Sequence, residues 1–444
     1  MTAPDPSVPI VAAVEMGYGH LRAAQALADS LGTEVVHVDR PPVAGEDEQR
    51  LWKASRRFYE ITSRASQLPV IGAPMRSVLD SMTSIPHLYP YRDLSAPTFQ
   101  VRSLDRLIRQ GLGRGLAGRL MESGSPLLTT FFSSAISADH HGCERVYCVV
   151  TDVDINRAWV PFDPKRSRIV YLAPSHRAVQ RLRSYGVNRE RIEMTGFPLP
   201  HELLGGLDVP EARRNLAARL VRLDPERAFR SQARDEIHTF LGVDLPASQE
   251  GRPPLATFTV GGAGAQAELA RSLLRSLRPM LGEDRLRLCL SAGVRQEVAD
   301  RFTAWSREAG LDGHPAVSIL CEKDFGSYYT AFNRLLAETD ILWTKPSEMT
   351  FYAALGLPLV LSAPVGVHEG YNRRWAIENG AGLKQRHPDY AGYWLREWLA
   401  EGTLAAAAWS GFLRLPKFGV YHILERVMGA PASHPPPALS APPR

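Results

Sequence analysis

A chain of 444 residues exceeds what one hydrophobic core usually fills, so two domains of about 200 residues each are expected. Its 44% hydrophobic and 22% charged residues are ordinary for a globular protein, and no apolar run approaches the roughly 18 residues that span a bilayer, so a membrane-spanning chain is not expected. The N-terminal MTAPDPSVPI has neither the basic start nor the long apolar core of a secretion signal, which points to a cytoplasmic protein, and the formal net charge of +5 excludes nothing until it is located along the chain.

Ile10 to Val14 is a short β-rich run that ends at Glu15-Met16-Gly17-Tyr18-Gly19-His20 and opens into LRAAQALADSL, whose alanines and leucines suit a packed helix. Val35 to Val38 reads as a second strand. A mostly helical insertion follows over about residues 45–125, broken by Pro, Gly and Ser clusters at 68–74 and 85–97. The positive charge is concentrated here: Lys53, Arg56, Arg57, Arg64, Arg76, Arg92, Arg102, Arg106, Arg109, Arg114 and Arg119 stand against only Glu60, Asp80, Asp93 and Asp105. Trp52, Phe58, Tyr59, Tyr89, Tyr91 and Phe99 are interleaved with them. That mixture suits either a surface that meets anionic lipid headgroups, which would make the protein peripheral on the inner face of the membrane, or a solvated helical face with a few packed aromatics. No nucleic-acid partner is expected, since no helix-turn-helix, RNA-binding or finger signature accompanies the charge.

Leu127 to Phe132 and Val146 to Val150 resume strand character, the latter leading into Thr151-Asp152. Ile169 to Ala173 is another strand, Ser175 begins a helix that stops at Gly186, and Ile192 to Thr195 closes an N-terminal domain of residues 1–200 at Gly196-Phe197-Pro198. Residues 201–254 turn charged and helical, as an interdomain connection would. A second α/β domain over 255–429 begins with a strand from Ala256 to Val260, a glycine loop at Gly261-Gly262-Ala263-Gly264 and a helix from Ala267 to Leu277. Leu286 to Leu290, Val317 to Leu320 and Ile341 to Trp343 supply further strands. A polar loop (Thr344, Lys345, Pro346, Ser347, Glu348) then precedes a helix-like run from Met349 to Leu355, a Gly356-Leu357-Pro358 break and a strand from Leu359 to Leu361. The next loop carries His368, Glu369 and Asn372 beside Gly366 and Gly370. The proline-rich tail at 430–444 is expected to be disordered. Cys143, Cys148, Cys289 and Cys321 have no metal-ligand spacing and read as buried thiols, so no structural metal is expected.

Alternating strands and helices imply α/β domains with parallel sheets and right-handed crossovers. Loops at the carboxyl ends of such strands are where open sheets hold nucleotides. Glycines at 261, 262 and 264 admit backbone amides to a diphosphate, the following helix N-terminus adds favourable partial charge, and carboxylates nearby can hold ribose hydroxyls.

Five segments together resemble the glycosyltransferase family that includes lipid-linked N-acetylglucosaminyltransferases, monogalactosyldiacylglycerol synthases and processive diacylglycerol glucosyltransferases. They are Gly17-Tyr18-Gly19-His20 after a strand, Thr151-Asp152 followed by Trp159, Pro174-Ser175 with the later Gly186-Val187 and Thr195-Gly196-Phe197-Pro198, the glycine loop at 261–264, and Thr344 to Gly382. The resemblance covers most of the chain outside about 45–120 and 202–250. It implies a GT-B fold, two Rossmann-like domains with parallel sheets facing a central cleft. Asn156 stands where the family has histidine, Ser347-Glu348 where it has glycines, Phe351 where it has an acid and His368 where it has glutamine, which marks a divergent branch.

The family implies an inverting, metal-independent transfer from a nucleotide-diphosphate sugar, most simply a UDP-sugar, to a hydroxyl acceptor such as a lipid, with no further cofactor. His20, whose unperturbed pKa of about 6.5 lies near working pH, is placed on a strand-end turn to deprotonate the acceptor, or else makes a structural hydrogen bond at a helix start. Glu15 occupies the family's acidic position and Asp152 ends a strand on the same side, with its neighbour Asp154 a lesser candidate; Gly17, Tyr18, Gly19 and Asn156 fall on the acceptor side. The donor side takes Gly261, Gly262, Gly264, Lys345, Ser347, Glu348, Thr350, His368, Glu369 and Asn372. Glu369 and Asn372 lie on the family's sugar-contacting loop and are the foremost donor candidates, a capped helix beginning near Gly370 being the alternative. Ser175 and His176 at another helix start are further candidates. Two other functions fit the same fold: a UDP-sugar 2-epimerase, with Asp152 or Glu15 as acids, and a noncatalytic descendant that binds a nucleotide-sugar or lipid.

Overall fold

A computed structural model of the chain describes residues 6–15, 17–65, 85–246, 252–261, 264 and 266–429, with the backbone alone for 56–65. The 430–444 tail, the 68–74 cluster, Gly262 and Ala263, Arg76 and Asp80, and the side chains of Arg56, Arg57, Phe58, Tyr59, Glu60 and Arg64 lie outside the described residues. The chain divides into two compact units. The first takes the residues up to 199, the segment 365–372 and the residues from 417; the second takes 200–364 and 373–416.

The first unit is built on six parallel strands: β1 (Ile10–Ala13), β2 (Val36–His37), β3 (Leu127–Thr129), β4 (Val146–Val149), β5 (Val170–Ala173) and β6 (Ile192–Met194), in the order β2-β1-β3-β4-β5-β6. The second repeats the plan with β7 (Leu255–Thr259), β8 (Arg287–Gly293), β9 (Val317–Cys321), β10 (Ile341–Thr344), β11 (Leu359–Leu361) and β12 (Gly382–Lys384), in the order β12-β11-β10-β7-β8-β9. Each is a Rossmann-like α/β unit. Strands covered on both faces need apolar side chains on both, and LATFT in β7, with all of its residues buried, shows why such runs lack alternation.

Several local expectations shift. Leu127 to Phe132 contributes only Leu127–Thr129 to the ladder, because Phe132 opens the helix Phe132–His140. Val35 to Val38 pairs over Val36–His37 alone. The run after the polar loop is a 3₁₀ stretch, Glu348–Leu355, with every residue buried. It has no solvent face for an amphipathic α-helix, and Thr350 N donates to Ser347 O at 3.0 Å in the tighter register. β12 and the helices Ala391–Ala400, Thr403–Arg414 and Gly419–Met428 follow toward the end of the described residues. The last of these packs in the first unit, where a Cβ at Gly419 would lie 2.2 Å from Phe197 O, so only glycine permits the backbone approach. Among the described residues no helix is long and apolar enough to cross a membrane.

In the second unit one carboxylate fixes the foot of the central strands. Asp340, fully buried just before β10, accepts from Arg222 Nε at 2.8 Å, from Arg252 Nη1 at 2.8 Å and from Leu255 N at 2.8 Å at the start of β7. Arg219, one turn before Arg222, donates to the Thr339, Leu355 and Gly356 carbonyls, and burial pulls its pKa down to about 10. Removing the carboxylate strands buried Arg222, so Asp340→Ala is expected to cost about 3–5 kcal/mol. Arg252, a quarter exposed, should cost much less when changed to Ala. Urea unfolding followed on the second unit's tryptophans checks both; equal midpoints for Asp340→Ala and the wild type would remove the clamp from the stability account.

Candidate functional site

Each sheet reverses its winding once, and the crevice at that point is where an open sheet offers backbone amides to a ligand. In the second unit the reversal lies between β7 and β10, whose ends are tied by a 3.1 Å hydrogen bond between the Thr259 and Thr344 hydroxyls. The glycine loop follows β7. Gly264 has φ of 69° and donates its N–H to Gly261 O at 2.7 Å, a turn that leads to the helix Leu269–Gly282. Across the reversal, Lys345 follows β10, and its side chain crosses the loop so closely that a Cβ on Gly261 would lie 2.7 Å from Cε and 3.3 Å from Nζ. An ammonium group and a glycine turn therefore meet at one crevice, and the helix Leu269–Gly282 follows the same loop; cations, loop amides and helix N-termini are the groups that can hold a phosphate.

Beside Lys345, Ser347 is half-buried and Glu348 is buried, while Thr350 Oγ1 donates to Ser347 O at 2.6 Å and so serves the local turn. Sequence reasoning missed Gln266. It holds a left-handed φ of 65°, unfavourable for a residue with a Cβ, and its amide bridges two loops: Oε1 accepts from Ser362 Oγ at 2.5 Å and Nε2 donates to Ala363 O at 2.7 Å. Ser362 follows β11, so the glycine loop is stapled to the loop two strands away. No signal in the sequence marks a positive φ at a glutamine.

In the first unit the reversal lies between β1 and β3. Gly17, with φ of 128°, precedes the helix Tyr18–Leu31 and turns the chain so that His20 faces the ends of β3 and β4. His20 Nδ1 lies 2.7 Å from Thr130 O and 3.3 Å from Thr151 Oγ1, and Thr130 Oγ1 donates back to His20 O at 2.9 Å. Phe131 meets the ring edge-on at 4.9 Å. A carbonyl only accepts, so Nδ1 carries the hydrogen and Nε2 is the basic nitrogen of the neutral ring. Glu15 is turned to solvent and reaches Arg40 at 4.0 Å with both side chains more than half exposed, a weak pair. Tyr18 carries the Arg22 guanidinium over its ring at 5.2 Å.

The segment 365–372 belongs to this unit by its contacts. Asn372, fully buried, donates from Nδ2 to Asp152 Oδ1 at 2.9 Å and accepts Val153 N at 2.9 Å. Glu369, 2% exposed, accepts Val365 N at 2.7 Å at the start of its own helix. His368 lies against Gly366, where a Cβ would meet its ring at 2.7 Å. Asp154 is buried between Arg177 at 2.6 Å and Arg181 at 2.7 Å, and Arg177 stacks on Tyr371 at 4.3 Å. The two arginines are i, i+4 neighbours on one helix face, so both reach the same carboxylate. Ser175 Oγ caps that helix through Ala178 N and donates to Val153 O at 3.0 Å, while His176 beside it is exposed. Asn156 caps the short helix Arg157–Trp159 through Ala158 N at 3.1 Å.

The family described as a domain of unknown function (DUF6938) matches residues 295–422, less than half of the chain. No curated protein matches the sequence. Among solved structures the chain is similar to MurG from Acinetobacter baumannii, with 12% identity, a TM-score of 0.48 and coverage of 94% of this chain and 99% of that one. It is similar to MnaA of S. aureus in a co-structure with UDP, at 12% identity and a TM-score of 0.46, over 96% and 98% of the chains. The glycosyltransferase SnogD from Streptomyces nogalater is 14% identical with a TM-score of 0.42, over 94% and 98%. These are distant likenesses, and the fold assignment rests on the strand order itself.

The hydrogen bond to Thr130 O has a direct spectroscopic consequence. In ¹⁵N spectra above the imidazole's titration, His20 is expected to show the Nδ1–H tautomer, whereas most exposed histidines favour Nε2–H. A dominant Nε2–H form would take the lone pair from the nitrogen a base must use.

Proposed function

We propose that the protein is an inverting glycosyltransferase that moves a sugar from a UDP-sugar to a hydroxyl acceptor. The observation that carries this reading is Lys345 lying over Gly261 at the β7/β10 reversal, with the helix Leu269–Gly282 opening from the same loop. The motif resemblance supplies the substrate class. In this reading the second unit binds the nucleotide: loop amides and Lys345 offset the diphosphate charge, and Glu348 takes the ribose hydroxyls. Glu348 is preferred to Glu369 because it follows Lys345 closely in the loop after β10, whereas Glu369 lies in the segment 365–372 that belongs to the first unit. The first unit supplies the base. Nε2 of His20 takes the acceptor's proton, the freed oxygen attacks the anomeric carbon, and the bond to the diphosphate breaks on the opposite face, giving inversion in one step. Asp152, with one oxygen on Asn372, is the second candidate base.

We take the acceptor to be a lipid and the protein to be peripheral on the membrane. What supports this is the exposure of Tyr89, Tyr91 and Phe99, each about 60% accessible, in the basic region with Arg92 and Arg102. Vesicle sedimentation tests it: binding to anionic vesicles should weaken with salt and fall when Arg102, Arg106 and Arg109 are changed to Glu. Unchanged cosedimentation would leave these residues as a solvated face.

Donor binding is tested by calorimetry with UDP. Lys345→Ala and Glu348→Ala are each expected to weaken it about tenfold or more, as loss of a charged hydrogen bond does, and Gln266→Ala should weaken it through the loosened loop. For catalysis, His20→Ala should lower turnover about 10² to 10⁴-fold, roughly 3–5 kcal/mol in barrier, with UDP affinity nearly unchanged. UDP-sugar consumed without any acceptor would instead favour the epimerase, and UDP affinity indifferent to Lys345 and Glu348 together would overturn the placement of the nucleotide.

A further inference from the structure

The first unit contains a cavity of about 690 Å³ alongside β1 and β2, within the size range of small-molecule sites. It shares no residue with the His20 cluster. Its walls come from the approach to β1 at Val8, the edge strand at Val36 and the returning loop at Pro41, Pro42 and Val43. These are apolar side chains, several of them only half-covered by protein. The rim is basic: Arg40 and Arg119 line it against a single acid, Glu34.

The charges at that rim are poorly neutralised. Arg119 is exposed and makes no ion pair or side-chain hydrogen bond among the described residues. Among the described residues Arg40 has one ion-pair partner, Glu15, at 4.0 Å with both side chains more than half exposed, which contributes little in water. His37 adds no cation, since burial and then the Arg40 charge lower its pKa against the opposing pull of Asp39 and Glu15. The lining therefore combines an apolar wall with a net positive rim. A purely polar ligand would leave the valines and prolines wet, and a neutral hydrocarbon would leave the arginines unused. Arginine forks match a carboxylate in charge and geometry.

We propose that this cavity binds an aliphatic carboxylate, with the carboxylate on Arg119 and Arg40 and the chain laid against Val8, Val36 and Pro42. It is a second ligand site, separate from the β7/β10 crevice and independent of the nucleotide assignment.

Calorimetry on the full chain with decanoate below its micellar concentration tests the proposal, with decanol as the chain without charge and acetate as the charge without chain. Decanoate should bind saturably at one site, with decanol and acetate each at least tenfold weaker. Arg40→Gln and Arg119→Gln should each weaken decanoate about tenfold while leaving the melting temperature and UDP affinity unchanged, since both side chains are exposed. Decanol binding as tightly as decanoate, or wild-type decanoate affinity in the Arg40→Gln/Arg119→Gln double variant, would overturn it, as would binding that never saturates.

Discussion

The geometry of both candidate sites follows from the right-handed crossover. A parallel strand can be followed by another only through a helix that returns over one face, and the fixed hand of that connection makes the sheet grow in one direction. To cover both faces the chain must at some point go back and grow the other way. In the first sheet it does so between β1 and β3, and in the second between β7 and β10. At each reversal the two connections leave in opposite directions, so the carboxyl ends of the paired strands are left uncovered. His20 and Thr130 occupy the first opening; Gly261 and Lys345 occupy the second.

An uncovered strand end is only useful if its loops are held. In the second unit Asp340 anchors β10 to β7 from below, and Gln266 staples the glycine loop to the loop after β11 from above. These two devices differ in kind. Asp340 neutralises the buried Arg222, which would otherwise lie unpaired in low dielectric, so its contribution is to the stability of the sheet. Gln266 tolerates an unfavourable backbone conformation in exchange for two short hydrogen bonds, which is a local device for shape.

The first unit relies more on neutral donors and acceptors. One imidazole is oriented by a backbone carbonyl, and one amide, Asn372, satisfies both the Asp152 carboxylate and the Val153 N–H. An amide suits that position because it donates and accepts at once, which neither Asp nor Lys can do. Beneath it the Asp154 carboxylate is matched by two guanidinium groups, one stacked on Tyr371, so the loop after β4 is fixed by charge as well as by hydrogen bonds.

The sequence by itself determined the class of fold. Apolar runs such as LATFT, each followed by a glycine or polar turn and a helix pattern, leave little besides parallel α/β sheets, and the residues near those turns could be named because turn chemistry is local. What it could not give is anything that depends on which loops become neighbours. The 3₁₀ course of Glu348–Leu355 is set by burial on all sides, the left-handed φ of Gln266 by its two distant partners, and the pairing of Asn372 with Asp152 by a contact across 220 residues of chain. Hydrophobic period and turn composition are properties of consecutive residues, whereas hydrogen-bond partners and burial are properties of the packed chain. Only the tertiary structure decided those.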